Sequence, residues 1–224
     1  MMDIELEKYI LNHIEPEGDY LYRLYRATNI HTIHGRMASG HLQGRLLKML
    51  VMMQRPRYVL EVGTFSGYSA ICMAEGLSEI APAMGARGDN GGAPKLFTFE
   101  INDEMEDFTR PWIEGSSVAR FIDFRIGDAL VEAPRLGVLF DMVFVDGDKR
   151  HYVEAYDKLL PIMSKGAIML ADNTLWDGHV VDNAYSKDQQ TQGVCHFNDY
   201  VIQDSRVEVT ILPIRDGLTI IRKK

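Results

Sequence analysis

The 224-residue chain is 46% apolar and 25% charged, a balance that supports a packed core and excludes an intrinsically disordered protein. Its 32 acidic against 24 basic residues leave a net charge of −8, which argues against a general duplex-DNA or membrane-surface binder while leaving room for a local basic patch. Two cysteines, Cys72 and Cys195, are too few for a disulfide framework or a four-cysteine metal site, so a reducing compartment is expected. No apolar run reaches the roughly 18 residues a membrane helix needs. The opening MMDIELEKYI alternates charge with apolar residues, unlike a signal peptide, and a soluble cytoplasmic protein without membrane contact is the expectation. At roughly 150 residues per domain, the length fits one domain, 1–224: a helical cap over 1–55 and a sheet domain over 56–224.

In chain order, residues 3–13, 19–28 and 42–53 repeat apolar positions at helical spacing, and the GRMASGH stretch before the third reads as a loop. After Pro56, short apolar runs alternate with helical stretches. Strands are expected at 58–62, 96–100, 121–126, 140–145, 167–171, 207–212 and 218–222, and helices at 67–80, 103–115, 148–161 and 190–203. Residues 81–94 (APAMGARGDNGGAP) read as a flexible, non-catalytic surface insertion. Strand–helix alternation with strands apolar on both faces predicts an α/β protein with a mostly parallel sheet covered by helices. The short PIRDG connection makes the last two strands an antiparallel hairpin.

In such sheets ligands collect at the carboxyl ends of the strands. Carboxylates stand at or within about two residues of the ends of the first five expected strands: Glu61, Glu100, Asp128, Asp146 and Asp172. The first turn carries Gly63 and Gly67 without the G-x-G-x-x-G spacing of a dinucleotide site, and Glu61 there would repel a diphosphate. A ligand with an amino group fits that turn, and Glu100 is placed to accept from a ribose diol. The alternative is that the glycines only shape a turn. Asp146 and Asp172 are separated by one helix and one strand, a βαβ unit that sets their strands side by side, roughly 4.8 Å apart. With Asn173 they offer three hard oxygen donors and no sulfur or imidazole, a set suited to Mg²⁺, Mn²⁺ or Ca²⁺. The alternative is that these residues cap helix starts. Lys149, beside a bound cation, would have a lowered pKa and act as a base; the alternative is a solvated helix-start lysine.

The segments VLEVGTFSGYSA, TFEIN, GDAL, FVDGDKRHY, LADNTLW and LPIRDGLTIIR together resemble the cation-dependent O-methyltransferase family, the group of catechol and caffeoyl-CoA O-methyltransferases, from about Met37 to Arg222. The resemblance implies a Rossmann-like class I methyltransferase fold: a seven-stranded, mostly parallel sheet with an antiparallel last strand and helices on both faces. It implies S-adenosylmethionine as methyl donor, with Ser39, Glu61, Gly63, Ser69, Glu100, Asp128, Ala129 and Asp148 at donor-binding positions. Asp146, Asp172 and Asn173 match the metal ligands, Lys149 the catalytic lysine, and Trp176 and Asp177 acceptor contacts, where the plant enzymes usually carry Asn at the second. Relatives are commonly homodimers.

The expected reaction is methylation of a hydroxyl on a small catechol-like aromatic. A hydroxylated uridine in tRNA is a second acceptor class, supported by Arg23, Arg26, Arg36, Arg45, Arg55 and Arg57 in the first 60 residues, and a non-catalytic nucleotide-binding module is a third reading. His31, His34 and His41 match no zinc spacing. Cys72 reads as core, the Met49, Met52, Met53 stretch as core or dimer face, and Tyr20, Tyr22 and Tyr25 as interhelix packing, with part of an acceptor lid as the alternative.

Overall fold

A computed structural model describes residues 4–85 and 93–224. One seven-stranded sheet has the order β3-β2-β1-β4-β5-β7-β6. Its strands are β1 (Tyr58–Val62), β2 (Lys95–Glu100), β3 (Ile122–Ile126), β4 (Phe140–Val145), β5 (Met163–Asp172), β6 (Val207–Leu212) and β7 (Leu218–Lys223). The β1–β4, β4–β5 and β2–β3 pairs are parallel, and β7 runs antiparallel to both β5 and β6, as the alternation and the PIRDG turn predict. The helices are α1 (Ile4–Leu11), α2 (Asp19–His31), α3 (Gly40–Gln54), α4 (Tyr68–Gly85), α5 (Glu106–Glu114), α6 (Ala129–Glu132), α7 (Tyr152–Leu159) and α8 (Gln189–Ile202). Among the described residues, no helix is long and apolar enough to cross a membrane.

The chain separates into two compact units. The first holds Tyr58–Gly63 and Ala129–Lys224. Its β4 and the second half of β5 are buried almost continuously, because parallel strands covered on both faces need apolar residues at successive positions. Helix α7 buries Tyr152, Ala155, Tyr156 and Leu159, an i, i+3, i+4, i+7 stripe. Helix α8 buries Val194, Phe197 and Val201 and is capped by Asp188, whose Oδ2 accepts from the Thr191 amide at 2.7 Å and the Thr191 hydroxyl at 2.8 Å. Tyr152 and Phe197 meet edge to face with centroids 5.3 Å apart. Gly193 lets α8 come this near: a Cβ there would stand 2.6 Å from the Lys149 carbonyl.

The second unit holds the described residues up to Arg57 and those of Thr64–Asp128. Its α3 and α4 cross closely through Gly44 and Gly76, where added Cβ atoms would meet Cys72 Sγ at 2.7 Å and the Lys48 carbonyl at 2.8 Å. Arg45 reaches Glu75 across that contact at 2.9 Å. Cys72 is fully buried, and Tyr20 donates to the Trp112 carbonyl at 2.6 Å, so both pack inside this unit as expected.

Three expectations need correction. Tyr22 is 55% exposed, so it does not pack between helices as expected. Residues 81–85 are the last turn of α4 rather than the start of a loop: Leu77 and Ile80 are buried and anchor the preceding turn, and Ala81, Ala83 and Met84 favour helix strongly. The expected flexible segment at 86–92 lies outside the described residues. Met49, Met52 and Met53 are 58%, 40% and 74% exposed, so they are not core; α3 turns Gln43, Gly44, Leu47 and Val51 inward instead.

Candidate active site

In the first unit, Val145 is in register with Ala171 across β4 and β5. The next residues on these two parallel strands, Asp146 and Asp172, are therefore side by side at one sheet edge. Asp172 is 4% exposed, and its Oδ1 accepts from the Asn173 amide at 2.8 Å. Asn173 has a φ of 57°, a left-handed conformation that asparagine tolerates, and there the chain leaves the sheet. The Thr174 and Leu175 amides then donate to the Gly217 and Asp216 carbonyls at 3.1 and 2.7 Å. On the β4 side, the Asp146 amide donates to the Val62 carbonyl at 2.9 Å, and Gly63, at a φ of 93°, approaches the Asp146 carbonyl so closely that a Cβ would stand 2.1 Å from it. Glycine at this turn serves backbone contact between the ends of β1 and β4.

Lys149 opens the turn before α7, and Asp148 caps that turn. The lysine is 5% exposed, so it is not the solvated helix-start residue that its position allows. Its Nζ donates to Asp146 Oδ1 at 2.9 Å and to the Tyr152 hydroxyl at 2.7 Å, and the Trp176 ring centroid is 5.9 Å away. Burial pulls the Lys149 pKa down, while the Asp146 carboxylate and the Tyr152 hydroxyl hold the proton more strongly and leave it above the ordinary lysine range. Asp148, expected at the methyl donor, grips the Arg150 guanidinium, which draws its carboxyl down to about 2 against the opposing effect of burial. Glu61 is fully buried in β1, and Ala129 is buried at the start of α6.

Trp176, Asp177 and Gly178 all have positive φ (48°, 54° and 82°). Two consecutive non-glycine residues in this region need outside support. The Trp176 amide donates to the Asp216 carbonyl at 3.1 Å, and its side chain donates to Asp188, the α8 cap. Burial, followed by the nearby Asp177 charge, raises the Asp216 pKa. Sequence reasoning passed over Tyr152, Asp188 and Asp216. Tyr152 had a usable signal, since it lies three residues after Lys149 at a helix start. Asp188 had its Thr191 partner as a capping signal.

In the second unit, Glu100 ends β2 and is 9% exposed. Its Oε2 accepts from the Phe65 amide at 2.8 Å and its Oε1 from the Asn102 amide at 2.9 Å. The carboxylate thus organises the glycine turn, in which Phe65 (φ 47°) and Gly67 (φ 84°) are left-handed. Thr64 and Thr98 share a 2.6 Å hydrogen bond, and the Thr109 hydroxyl donates to the Phe65 carbonyl. Ser66 Oγ is buried in the same turn without a hydrogen-bond partner, an unsatisfied group that a polar ligand would satisfy. Ser39, before α3, and Ser69, in the first turn of α4, are buried; Asp128 is exposed.

The oxygen donors of Asp146, Asp172 and Asn173 suit a hard divalent cation. Among the described residues no three of His, Cys, Asp and Glu stand together as a metal-binding group, so a cation here would draw on the Asn173 amide and on water.

A family model described as O-methyltransferase matches residues 12–224. Tricin synthase 2 of Oryza sativa subsp. japonica is 31% identical over 234 residues, 97% of this chain and 74% of that protein. A caffeoyl-CoA O-methyltransferase of Petroselinum crispum is 31% identical over 200 residues, 84% of this chain and 77% of its own length. An O-methyltransferase from Bacillus cereus, solved in complex with SAH, superimposes with a TM-score of 0.83 at 25% identity, covering 98% of this chain and 97% of that one. TomG of Streptomyces achromogenes, solved with SAM, gives a TM-score of 0.83 at 27% identity over 100% of both chains. With this fold, these strand-end carboxylates and a match along nearly its whole length, the chain belongs to the O-methyltransferase family and is an O-methyltransferase.

Proposed function

We propose that the chain transfers a methyl group from S-adenosylmethionine to a hydroxyl of a small aromatic with vicinal oxygens, in a reaction that requires Mg²⁺ or a similar divalent cation. One observation carries the proposal: Lys149 is buried and paired to Asp146, beside Asp172 on the registered neighbouring strand. The relatives are a tricin synthase and caffeoyl-CoA O-methyltransferases, and two structural neighbours hold SAH or SAM, which supports the donor and the acceptor class.

Asp146, Asp172 and Asn173 would hold the cation. Glu61, Gly63, Ala129 and Asp148 of the first unit, and Ser39, Ser69, Glu100 and Asp128 of the second, are the proposed donor residues; the unsatisfied Ser66 hydroxyl marks the glycine turn as ready for a polar ligand. When bound, the donor supplies an electrophilic methyl carbon on a sulfonium, and the cation supplies positive charge that acidifies the acceptor hydroxyl. With that charge offsetting the Asp146 carboxylate that otherwise holds the Lys149 proton, Lys149 Nζ would be free to take the hydroxyl proton, while the O–H electron pair stays on oxygen to bond the methyl carbon as the carbon–sulfur bond breaks onto sulfur. Trp176 and Asp177 would contact the ring. The chain needs no covalent nucleophile, because orientation and proton removal are its tasks.

The test is methyl transfer from labelled S-adenosylmethionine to a catechol panel and to bulk tRNA, with Mg²⁺ and with chelator. Transfer to a catechol that chelator abolishes and Mg²⁺ restores is expected. Transfer that survives chelator removes the cation role. Transfer only to tRNA moves the acceptor, although Arg45 is already committed to Glu75 and so does not serve a basic face.

A further inference from the structure

Tyr152 is 1% exposed, and its hydroxyl touches three polar groups. It stands 3.0 Å from the Asp172 carbonyl and 3.2 Å from the Val145 carbonyl, and both of these only accept. Its single proton therefore goes to the backbone, so toward Lys149 Nζ, at 2.7 Å, the oxygen only accepts. Asp146 Oδ1, at 2.9 Å, is a second acceptor on the same nitrogen. The ammonium has three N–H donors and no lone pair, so Tyr152 cannot donate to it. With two of the three engaged by Asp146 and Tyr152, the third is left a single tetrahedral direction, away from both, and that is the direction along which Lys149 can exchange a proton with an acceptor. The ring that carries the hydroxyl is held by rigid parts: Tyr152 opens α7, Phe197 of α8 braces it edge to face, and Gly193 lets α8 lie against the Lys149 backbone.

We propose that Tyr152 is a positioning residue that aims the Lys149 amine. With its own proton committed to the Asp172 and Val145 carbonyls, it fixes the direction from which Lys149 takes the acceptor proton. The inference rests on the reading of Lys149 as the base. Tyr152 itself neither gives nor takes a proton in the reaction.

The test compares Tyr152→Phe with wild type in full-length protein. The phenylalanine keeps the ring and its packing on Phe197 while removing the acceptor. A fall in kcat of about tenfold at unchanged acceptor KM is expected, because a misaimed base costs rate rather than binding. In a Lys149→Met background the same substitution has no further effect on rate, since there is no amine left to aim. A second readout needs no methyl transfer: competitive acetylation of the protein without donor or cation, read by mass spectrometry, labels Lys149 faster in Tyr152→Phe than in wild type. If Tyr152→Phe does not fold, Phe197→Leu, which loosens the brace and keeps the hydroxyl, is measured in its place and shows the same split between kcat and KM. The proposal is overturned if the folded variant keeps kcat within about twofold of wild type, if the loss is equally large without Lys149, or if Lys149 labelling is unchanged. If wild type methylates no acceptor, the proposed reaction fails, and the labelling still decides what Tyr152 does.

Discussion

Replacing Gly63 by alanine tests whether this turn is a point of backbone contact on which the candidate site depends. Two costs add at this position. The φ of 93° puts an L-residue in a disfavoured region, at about 1–2 kcal/mol. The new Cβ would lie 2.1 Å from the Asp146 carbonyl oxygen and 3.0 Å from its carbon, both inside the 3.4 Å at which ordinary contact begins. The obstacle is backbone rather than a flexible side-chain tip, and the Asp146 amide is already bonded to Val62, so the strand end must move. A combined loss of about 3 kcal/mol or more is expected. Gly137→Ala is the control: its φ is 67°, and a Cβ there meets nothing within 4 Å, so it bears only the conformational cost of about 1 kcal/mol. Urea unfolding followed by circular dichroism gives both values. The rise in melting temperature on adding Mg²⁺ with S-adenosylhomocysteine then reports the site, because a ligand stabilises only the state that binds it. Gly63→Ala should lose that rise and Gly137→Ala should keep it. Equal destabilisation in the two variants, or a full ligand response in Gly63→Ala, would refute the argument from close approach.

Three further outcomes are expected. Lys149→Met should lower methyl transfer by about 100-fold or more while S-adenosylhomocysteine affinity, measured by calorimetry, stays near wild type. Glu100→Gln replaces an acceptor of two backbone amides by a group with one acceptor and one donor end; stability should fall by about 2 kcal/mol in urea unfolding, with weaker S-adenosylhomocysteine binding. The Arg206 guanidinium, opposed by burial and helped by the Arg206 amide and the Tyr156 hydroxyl, holds the Asp204 carboxyl well below the usual carboxylate range. A depressed folded pKa gives stability that is present above the ordinary carboxylate pKa of about 4 and lost as pH falls. Asp204→Asn should therefore be less stable than wild type at pH 7, and the gap should close in acid; a gap independent of pH counts against this linkage.

Much of the site was legible because it sits on the most regular part of the fold. The helix and strand between Asp146 and Asp172 imply parallel neighbours, and the observed register puts these residues side by side. What was not legible concerns partners rather than positions. The burial of Lys149 depends on α8 passing over it at Gly193, about 40 residues later in the chain, and no periodicity near Lys149 encodes that approach. Glu100 reads as a free acceptor in one dimension, yet in the fold it ties down the Phe65 and Asn102 amides. The GRMASGH stretch contains only a short 3₁₀ turn, Gly35–Met37, before α3 begins at Gly40.

By itself the sequence determined the alternation of strands and helices, the antiparallel ending and the oxygen-only character of the strand-end residues. All of these follow from local periodicity, turn chemistry and residue type. Only the tertiary structure decided that Lys149 is desolvated against Asp146, that Tyr152 can only accept from it, and that Asp148 is taken up by Arg150. The physical reason is that a side chain's charge state and direction are set by the groups packed around it. Those groups come from separate stretches of chain, which meet only when the sheet and α8 are in place.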